Sequence, residues 1–305
     1  MRYEGITATG LRIGLGQPIR VQLSTEEDAP AHGFTGIFPL TKPLPELREW
    51  KVYDDEEKLL FGGMVDRQKL QLGADGCVLQ LTARSKACLL LDNEAKPQTY
   101  VNPSLSTLFA NHGAPYGLQK AVGKSSGFYW TYVIPKGISE WQVFWDFSLY
   151  CLGIEPTVTP DGILDVTGKE PKGVLLFSNS KGIAYTSLTH DYAPCKQLSQ
   201  LWLQGALGEG YNHSMVDLSA VRRGICRGRY VTAANWQGRR KLKKARRQSD
   251  SVKLVCPGFV ACSLKQRAVV REDTIGVFEN YSVAGWTYTL DGQGERCTIT
   301  LRTEE

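Results

Sequence analysis

The chain has 305 residues, 42% of them hydrophobic, with 36 Lys and Arg against 31 Asp and Glu. This length exceeds what one domain usually needs and predicts two or three units, each with its own core. The sequence has no run of about eighteen apolar residues, and its start, MRYEGITATG, lacks the apolar stretch of a signal peptide. We therefore expect a soluble protein that is made in the cytoplasm and has no membrane partner.

The composition favours strands and turns. The sequence holds 13 Tyr, 10 Phe and 7 Trp together with 31 Gly and 14 Pro. Aromatic residues suit strands, and Gly and Pro suit turns, so short strands are expected over long helices. The eight cysteines are scattered without a C-x-x-C pair, and we expect them to be buried reduced thiols.

The first long stretch, residues 19–83, has the alternation of short β-strands separated by turn residues. Gly62 and Gly63 lie inside one of these strands and predict a bulge or a corner in a curved sheet. The acidic run from Asp54 to Glu57 falls between two strands. We interpret it as a solvated turn rather than a metal or acid–base site, because no further ligands lie nearby in the sequence.

Three short helices are predicted next. Their start and stop signals are Ser85 to Asp92, Asn102 to Gly113, and Ser139 to Gly153, where Ser139 and Gln142 form a candidate capping box. The apolar stripe of the third helix is Val143, Phe147 and Tyr150. These signals predict an α/β insertion after the first β unit.

Strands return after Pro160 with ILDVTG, and Lys196 to Leu203 is a candidate short helix. The end of the chain is β again, with VKLVCPG, VAGWTYTL and ERCTITLR. In the last strand Cys297, Ile299 and Leu301 are predicted to share one face. The order is therefore β, then α/β, then β.

The sequence lacks recognisable catalytic patterns. The segment from Gly117 to Ser125 resembles a phosphate-binding loop, but its glycine spacing is wrong and a strand-like segment follows where a helix is needed. The four histidines form no H-x-H or H-E-x-x-H pattern, and no serine has a G-x-S-x-G context. We predict that the protein is not an enzyme and carries no cofactor or metal.

One basic segment stands out in an otherwise acidic chain. Residues 220–247 hold eleven of the 36 Lys and Arg and no Asp or Glu, and GRRKLKKARRQ holds seven cations. A helix at about 236–251 is predicted, with only Leu242 and Ala245 as apolar residues between Trp236 and Val252. Much of this helix should face solvent or a partner.

Three interpretations of the basic helix stay open at this point: a solvated face, a docking site for an acidic protein, and a nucleic-acid site. Nucleic-acid binding would usually need aromatic residues between the cations, and Trp236 alone provides little support. The candidate docking residues are Arg239, Arg240, Lys241, Lys243, Lys244, Arg246 and Arg247.

The sequence resembles the baseplate hub proteins of contractile phage tails and tailocins, the late control protein D family of Mu-like phages and prophages, which is related to the base of the type VI secretion spike. Three regions carry the resemblance. The first is WKVYDDEEKLLFGGMVDRQKLQLGADGCVLQLTARSKACLLLDN, and the second is APYGL with the later SEWQVFWDF. The third is RGRYVTAANW, the basic helix, VCPG and VAGWTYTLDGQGERCTITLR.

The resemblance implies two small β-barrels related to the tail-tube subunit, with an α/β insertion between them. The expected domains are 1–92 as the first barrel, 93–175 as the insertion, and 176–305 as the second barrel with the basic helix. Three chains would form a ring in which six barrels mimic the sixfold tube.

The implied function is structural. A homotrimeric, pseudo-hexameric hub would join the tail tube to the central spike and line the conduit. The expected partners are the tube protein, the spike, other baseplate proteins and the tape measure, with DNA only in transit. The protein would lie in a virion or tailocin particle assembled in the bacterial cytoplasm. The alternative is a nucleic-acid-binding protein that uses residues 220–247.

Overall fold

The computed structural model describes residues 1–74, 76–123, 131–205, 210–232 and 235–304, without the side chains of residues 235 and 236. The chain forms two compact units, one of residues 1–170 and 287–295 and one of residues 171–286 and 296–305. Strands far outnumber helices in both, which confirms the β-rich prediction. Among the helices in these ranges, none is long and apolar enough to cross a membrane.

The first unit contains an antiparallel sheet in the order β3-β4-β7-β6-β5-β1-β2. Neighbouring strands pair in defined antiparallel registers, so this stretch forms one continuous layer. The strands are β1 Arg2–Thr7, β2 Arg12–Leu15, β3 Arg20–Glu26, β4 Ala29–Leu40, β5 Leu47–Tyr53, β6 Leu59–Gly73 and β7 Gly76–Ser85. The strands predicted between residues 19 and 83 are confirmed.

Aromatic side chains fill the core of this sheet. The ring centroids of Phe34 and Trp50 are 5.3 Å apart, and those of Phe38 and Trp50 are 5.4 Å apart. Tyr3 meets Phe38 edge to face at 5.3 Å, and Phe61 lies 5.9 Å from Phe34. All five rings are buried. Alternating strands bring them to one face, where their large apolar area stabilises the layer.

Gly62 and Gly63 allow close backbone approach rather than forming a bulge. Both pair regularly with β5, and the register shifts of β6 lie on either side of them. A Cβ atom at Gly62 would lie 2.3 Å from the carbonyl oxygen of Pro160, and one at Gly63 would lie 2.1 Å from that of Arg84. Side chains at these positions would collide with backbone, which explains the two glycines.

The acidic run from Asp54 to Glu57 forms the turn between β5 and β6, as predicted. Asp54 Oδ1 accepts hydrogen bonds from the backbone N–H groups of Glu56 and Lys58 at 3.0 and 2.8 Å. Glu57 pairs with Arg2, whose hydrogen bond lowers the pKa of the carboxyl group. The run therefore acts within the chain, by shaping the turn and holding the first strand.

The first unit also contains the predicted α/β region. Its elements are α1 Ala87–Asp92, β8 Gln98–Val101, α2 Leu105–His112, β9 Lys120–Gly123, β10 Thr131–Ile134, α3 Glu140–Phe147, β11 Thr157–Val158 and β12 Ile163–Val166. β8 and β10 pair as one antiparallel ribbon, and β9, β12 and β11 form a small mixed sheet. Fifteen buried residues, among them Phe144 and Phe147, form one apolar core. The phosphate-loop candidate starts in a turn and becomes β9, while its Lys124 and Ser125 lie outside the described residues.

All three predicted helices of this region exist, but their caps differ in part. Ser139 accepts a hydrogen bond from the N–H of Gln142 at 3.2 Å, as expected for the start of α3. Helix α2 starts instead at Ser104, which accepts from the N–H of Thr107. Ser85 is wrong as a cap, because it lies in β7 and its hydroxyl accepts from the N–H of His32. Predicted caps thus place a helix to within a few residues.

The end of α3 departs from the predicted stripe. The chain continues from α3 into a π-helical turn, Ser148–Leu152, before Gly153 ends it with a φ of 67°. The altered winding turns Tyr150 outward, and its side chain is exposed, while Val143 and Phe147 are buried as predicted.

The second unit contains a sheet in the order β14-β18-β21-β20-β19-β13. The pairs β14–β18, β18–β21 and β19–β20 are antiparallel, and the pair β13–β19 is parallel. The elements of this unit are β13 Val174–Phe177, β14 Ser187–Tyr192, β15 Gln200–Leu203, β16 His213–Val216, α4 Leu218–Arg222, β17 Gly228–Val231, α5 Asn235–Ser249, β18 Asp250–Pro257, β19 Arg267–Glu272, β20 Gly276–Asp291 and β21 Gly294–Thr303. Residues 287–291 of β20 and residues 294 and 295 of β21 belong to the first unit. Cys297, Ile299 and Leu301 are all buried on one face of β21, as predicted.

The predicted helix from Lys196 to Leu203 is wrong. Only a 3-10 turn, Pro194–Lys196, precedes the strand β15. Leu201 and Leu203 are buried, while Gln200 and Trp202 are half-buried, and this alternation is the period of a strand. The four-residue run was too short for its period to be read without its neighbouring strands.

The eight cysteines are free in the structure. Cys88, Cys256 and Cys297 are buried as predicted, whereas Cys77, Cys151 and Cys262 are half-buried and Cys195 and Cys226 are exposed. The predicted boundaries at 92/93 and 175/176 and the closure of the sheets into two barrels stay predictions.

Candidate partner-binding site of the second unit

The predicted docking residues lie on helix α5, which packs on a three-stranded sheet. The strand order is β16-β15-β17, with β16 antiparallel and β17 parallel to β15. Leu201 and Leu203 of β15 and Leu242 of helix α5 form its small buried core, with Met215 and Val231 packed against them. Only one face of the sheet is therefore covered by α5.

The basic segment is a helix, as predicted, and α5 ends at Ser249 because β18 starts at Asp250. Its apolar side chains Leu242 and Ala245 are both buried, at 6% and 9% exposure. The seven cations fall into three classes: exposed Arg239, Lys241, Lys243 and Lys244, half-buried Arg240 and Arg246, and buried Arg247.

Arg247 is the centre of a partly buried polar network. Its Nη1 forms an ion pair with Oε1 of Glu304 and donates to Oγ of Ser282 and to the carbonyl oxygen of Thr303, both at 3.2 Å. Ser282 also donates to Glu304. Partial burial opposes ionisation of Glu304, but this hydrogen bond and the charges of Arg247 and Lys243 hold the pKa of its carboxyl group below the ordinary value. Arg247 therefore fixes the helix to its own unit.

A second ion pair, formed by Arg246, also connects α5 to its own unit. Its Nε lies 3.1 Å from Oδ2 of Asp217, whose side chain is 3% exposed. Asp217 also caps α4, since Oδ1 accepts from the N–H groups of Ser219 and Ala220 at 3.0 and 3.2 Å. Burial opposes the charge of Asp217, yet the hydrogen bond that the Ser219 hydroxyl donates to Oδ1 at 2.6 Å, the backbone hydrogen bonds and the charge of Arg246 together lower the pKa of the carboxyl group.

The predicted docking residues therefore differ in whether a carboxylate of the same chain is shown to pair with them. Lys243 Nζ lies 3.6 Å from Glu304 Oε2, so Lys243, Arg246 and Arg247 all have acidic partners within the chain. Sequence reasoning missed Asp217 and Glu304 because both are far from the helix in the sequence. The docking role of the other cations stays a prediction.

The opposite face of the same sheet carries aromatic residues that the sequence did not single out. The Trp202 and Tyr230 rings are stacked, with centroids 4.8 Å apart and planes 17° apart. Tyr211 meets Tyr230 at 5.0 Å with planes 77° apart. The two faces of this sheet therefore differ in chemistry, with cations over one and aromatic rings over the other.

The most extensive histidine network lies in the first unit. His112 Nδ1 lies 2.6 Å from Oε2 of Glu140, and Tyr116 donates its hydroxyl to Oε1 of Glu140 at 2.9 Å. On the other side of the same ring, Nε2 lies 2.9 Å from the Tyr100 hydroxyl oxygen. His112 and Glu140 are 1% and 4% exposed. The network ties α2 to α3 with its polar atoms satisfied, which suits a structural role.

Two other histidines, His190 and His32, have different surroundings. His190 pairs with Asp250 across the strands, at 2.9 Å, and not with its neighbour Asp191. Burial lowers the pKa of His32 to about 4. Within the described ranges, no three His, Cys, Asp or Glu residues are grouped so that they could hold a metal ion.

No protein-family model and no curated protein matches the sequence. Solved structures do match along the whole chain. A tail protein from Neisseria meningitidis MC58 is 17% identical, with a TM-score of 0.77, over 100% of this chain and 97% of that one. The 43 kDa tail protein of prophage MuSo2 from Shewanella oneidensis is 13% identical, with a TM-score of 0.80, over 99% and 98%.

A third match is a type VI secretion component of Escherichia coli, which is described as structurally similar to the bacteriophage T4 tail proteins gp27 and gp5. It is 8% identical, with a TM-score of 0.60, over 95% of this chain and 74% of that one. At these identities the likeness concerns the fold. The chain therefore has the fold of phage and prophage tail proteins, which a type VI secretion component shares.

Proposed function

We propose that the protein is a structural baseplate hub of a contractile injection system. Three chains would form a pseudo-hexameric ring that joins the sixfold tail tube to the threefold central spike and lines the conduit. The observation that carries this proposal is the likeness to tail proteins over 97–98% of their length. A whole-length match indicates that the entire chain, rather than one domain of it, serves the shared architecture.

The proposed partners follow from this role. The hub would contact the tail tube protein, the central spike, other baseplate proteins and the tape measure. The likeness to a type VI secretion component supports the contact with a spike. The proposed location is the baseplate of a virion or a tailocin, with DNA passing through only if the particle is a phage.

We further propose that the role is not catalytic. The His112 and Glu140 pair is the most enzyme-like group of the described residues, but both side chains are buried and bonded to neighbours. A general base must reach the proton that it abstracts, and this pair is enclosed within the first unit. The hub needs surfaces rather than a reactive group.

Light scattering on the purified chain at low and high salt tests the proposed ring. We expect a mass three times that of the chain, unchanged by salt, because the contacts of a stable ring should be largely apolar. A monomer at both salt concentrations, over the whole accessible range of protein concentration, would contradict the proposal.

The alternative is nucleic-acid binding through residues 220–247, which the exposed cations of α5 favour. In that case affinity for a DNA duplex should fall steeply as salt rises, by release of counterions. Exchanging Arg239, Lys241, Lys243 and Lys244 for Gln should then abolish binding. A matched control exchanges four exposed lysines of the first unit for Gln, which are Lys42, Lys96, Lys120 and Lys136. Equal loss in both variants would show only a general charge effect.

A further inference from the structure

Two cysteines of the second unit lie directly opposite each other on neighbouring strands. Strands β18 and β21 are antiparallel, and three of their opposed residue pairs are 0% exposed at both positions. These pairs are Val252 with Leu301, Leu254 with Ile299, and Cys256 with Cys297. Directly opposed residues of an antiparallel pair extend to the same face of the sheet. The two thiols therefore form the last of three side-chain pairs on the buried face, after two aliphatic pairs.

The register places the two cysteines at the separation that a disulfide requires. A disulfide usually joins residues whose Cα atoms are about 4.4–6.8 Å apart. Directly opposed residues of an antiparallel pair have Cα atoms about 5.5 Å apart where they exchange backbone hydrogen bonds, and about 4.5 Å apart where they do not. Both separations fall within the disulfide range. The pairing of β18 with β21 therefore already satisfies the Cα requirement for a bond between Cys256 and Cys297.

A third cysteine lies in the loop that follows β18. The chain turns at Gly258, whose φ is 70°, and the backbone of the buried Val260 then hydrogen-bonds to Cys297. Cys262 follows in this loop and is half-buried. Burial raises the pKa of its thiol, and negative charge on Cys297 or Cys256 raises it further, so the three sulfur atoms are neighbours. Cys262 lies between β18 and β19, however, and its position is not set by a strand register.

Burial keeps the opposed pair protonated at neutral pH. It raises the pKa of both Cys256 and Cys297 to about 11, above the ordinary value of a thiol. Because the thiolate is the form that reacts with oxidants, these two thiols should react slowly. In the reducing cytoplasm the pair stays reduced. Long exposure to an oxidant is then needed to join the two sulfur atoms.

We propose that Cys256 and Cys297 are a modification site, at which hydrogen peroxide forms a disulfide between β18 and β21. One thiol gives an electron pair to a peroxide oxygen, the O–O bond breaks, and a sulfenic acid and a water form. The other thiol then attacks that sulfur, an S–S bond replaces the S–O bond, and a second water leaves. The peroxide is thus reduced to water while the two thiols are oxidised to one disulfide.

The bond would join two interior strands of the second unit. In the sheet, β14 lies on the other side of β18, and β20 lies on the other side of β21. A disulfide that closes a long loop stabilises a protein mainly by restricting its unfolded chain. The benefit to a particle outside the cytoplasm rests on the proposed function, whereas formation of the bond does not. Light scattering tests the ring and disulfide mapping tests the pair, so each can fail while the other holds.

Disulfide mapping of the full-length chain after exposure to hydrogen peroxide tests the proposal. Remaining thiols are blocked with N-ethylmaleimide in denaturant, and the chain is digested with trypsin without reduction. Cleavage after Lys and Arg gives peptide 254–265, which holds Cys256 and Cys262, and peptide 297–302, which holds Cys297. We expect mass spectrometry to find these two peptides joined by a disulfide, with the remaining cysteine of peptide 254–265 blocked.

Matched variants identify which cysteines form the bond. The linked peptides should form in Cys262→Ala and be lost in Cys256→Ala, because the register pairs Cys256 with Cys297. A variant with Cys195→Ser and Cys226→Ser removes two exposed thiols and should still form the bond. In wild type these exposed thiols should react at least about tenfold faster than the buried pair. Mapping of wild type needs no variant, so it remains a test if Cys256→Ala fails to fold.

Thermal denaturation measures what the bond contributes. Peroxide should raise the melting temperature of the Cys195→Ser with Cys226→Ser variant by at least about 4 °C, and dithiothreitol should reverse the rise. Adding Cys256→Ala to that variant should abolish the rise. An unchanged melting temperature in a chain that carries the bond would contradict the proposed stabilisation.

Three results would overturn the proposed site. The first is a folded chain whose exposed cysteines are fully oxidised while peptides 254–265 and 297–302 remain separate. The second is a link that persists in Cys256→Ala and disappears in Cys262→Ala, which would assign the bond to the loop cysteine. The third is a link that forms in urea but not in the folded chain, which would show that the folded pair is closed to peroxide.

Discussion

The two α/β regions of the chain are stabilised by different interactions. The region in the first unit, between α1 and β12, has fifteen buried residues in its core, including Phe144 and Phe147. The region in the second unit, between β15 and α5, has three, which are Leu201, Leu203 and Leu242. There the ion pairs of Arg246 and Arg247 add to a small apolar contact.

This difference explains why only the second region can carry so many cations. A helix in a large apolar core must devote a wide stripe to that core, as α3 does. Among the side chains that the structure describes, helix α5 contributes two buried apolar ones, Leu242 and Ala245, and uses two arginines for attachment, while Arg239, Lys241, Lys243 and Lys244 are exposed. The comparison predicts that the stability of the first region falls most when a buried side chain is removed, and that the stability of the second region also depends on its buried charges.

The largest effect should come from the apolar core of the first region. Phe147→Ala removes a fully buried ring that meets Tyr132 edge to face at 5.9 Å. We expect a loss of about 3–5 kcal/mol in the free energy of unfolding, measured by urea denaturation. Leu242→Ala in the second region should cost only about 2 kcal/mol, since its core is small. Equal losses would contradict the proposed difference.

A smaller effect is expected from the buried arginine of the second region. Arg247→Ala leaves Glu304 without its main partner and should cost about 2 kcal/mol, less than a fully buried pair because Glu304 is 35% exposed. Combining Arg247→Leu with Glu304→Leu should recover part of the loss, because neither charge is then left alone. A double variant that is less stable than Arg247→Ala would contradict this account.

The same carboxylate should make stability depend on pH. The folded pKa of Glu304 lies below its unfolded value, so its contribution is complete above about pH 5 and is lost as pH falls through the folded pKa. Urea denaturation of wild type and Glu304→Gln at several pH values between about 3 and 7 measures how the free energy of unfolding depends on pH. The two curves should converge at low pH, and parallel curves would exclude the linkage.

The smallest effect is expected at the exposed cations of α5. Arg239→Gln with Lys241→Gln should change the free energy of unfolding by less than about 0.5 kcal/mol, because both side chains are exposed. Thermal denaturation provides the measurement. A loss comparable to that of Arg247→Ala would show that these charges also stabilise the unit.

Local patterns predicted most elements of the fold. Alternation in ERCTITLR placed Cys297, Ile299 and Leu301 on one buried face, and the cap at Ser139 marked the start of α3. Predictions were wrong where the decisive contact was distant. Leu201 and Leu203 form a strand because β16 and β17 pair on either side of them, and β17 follows only after β16 and α4 in the sequence.

The candidate site divides in the same way. The cation-rich helix could be predicted from local sequence, since composition and a strong local helix pattern need only neighbouring residues. The acidic partners of these cations depend on the tertiary structure, because Asp217 and Glu304 reach the helix through the order of the strands. The tertiary structure also brought Trp202 onto Tyr230, through a parallel register that no local period encodes. Local periodicity sets elements, whereas sheet order and register set the partners of their side chains.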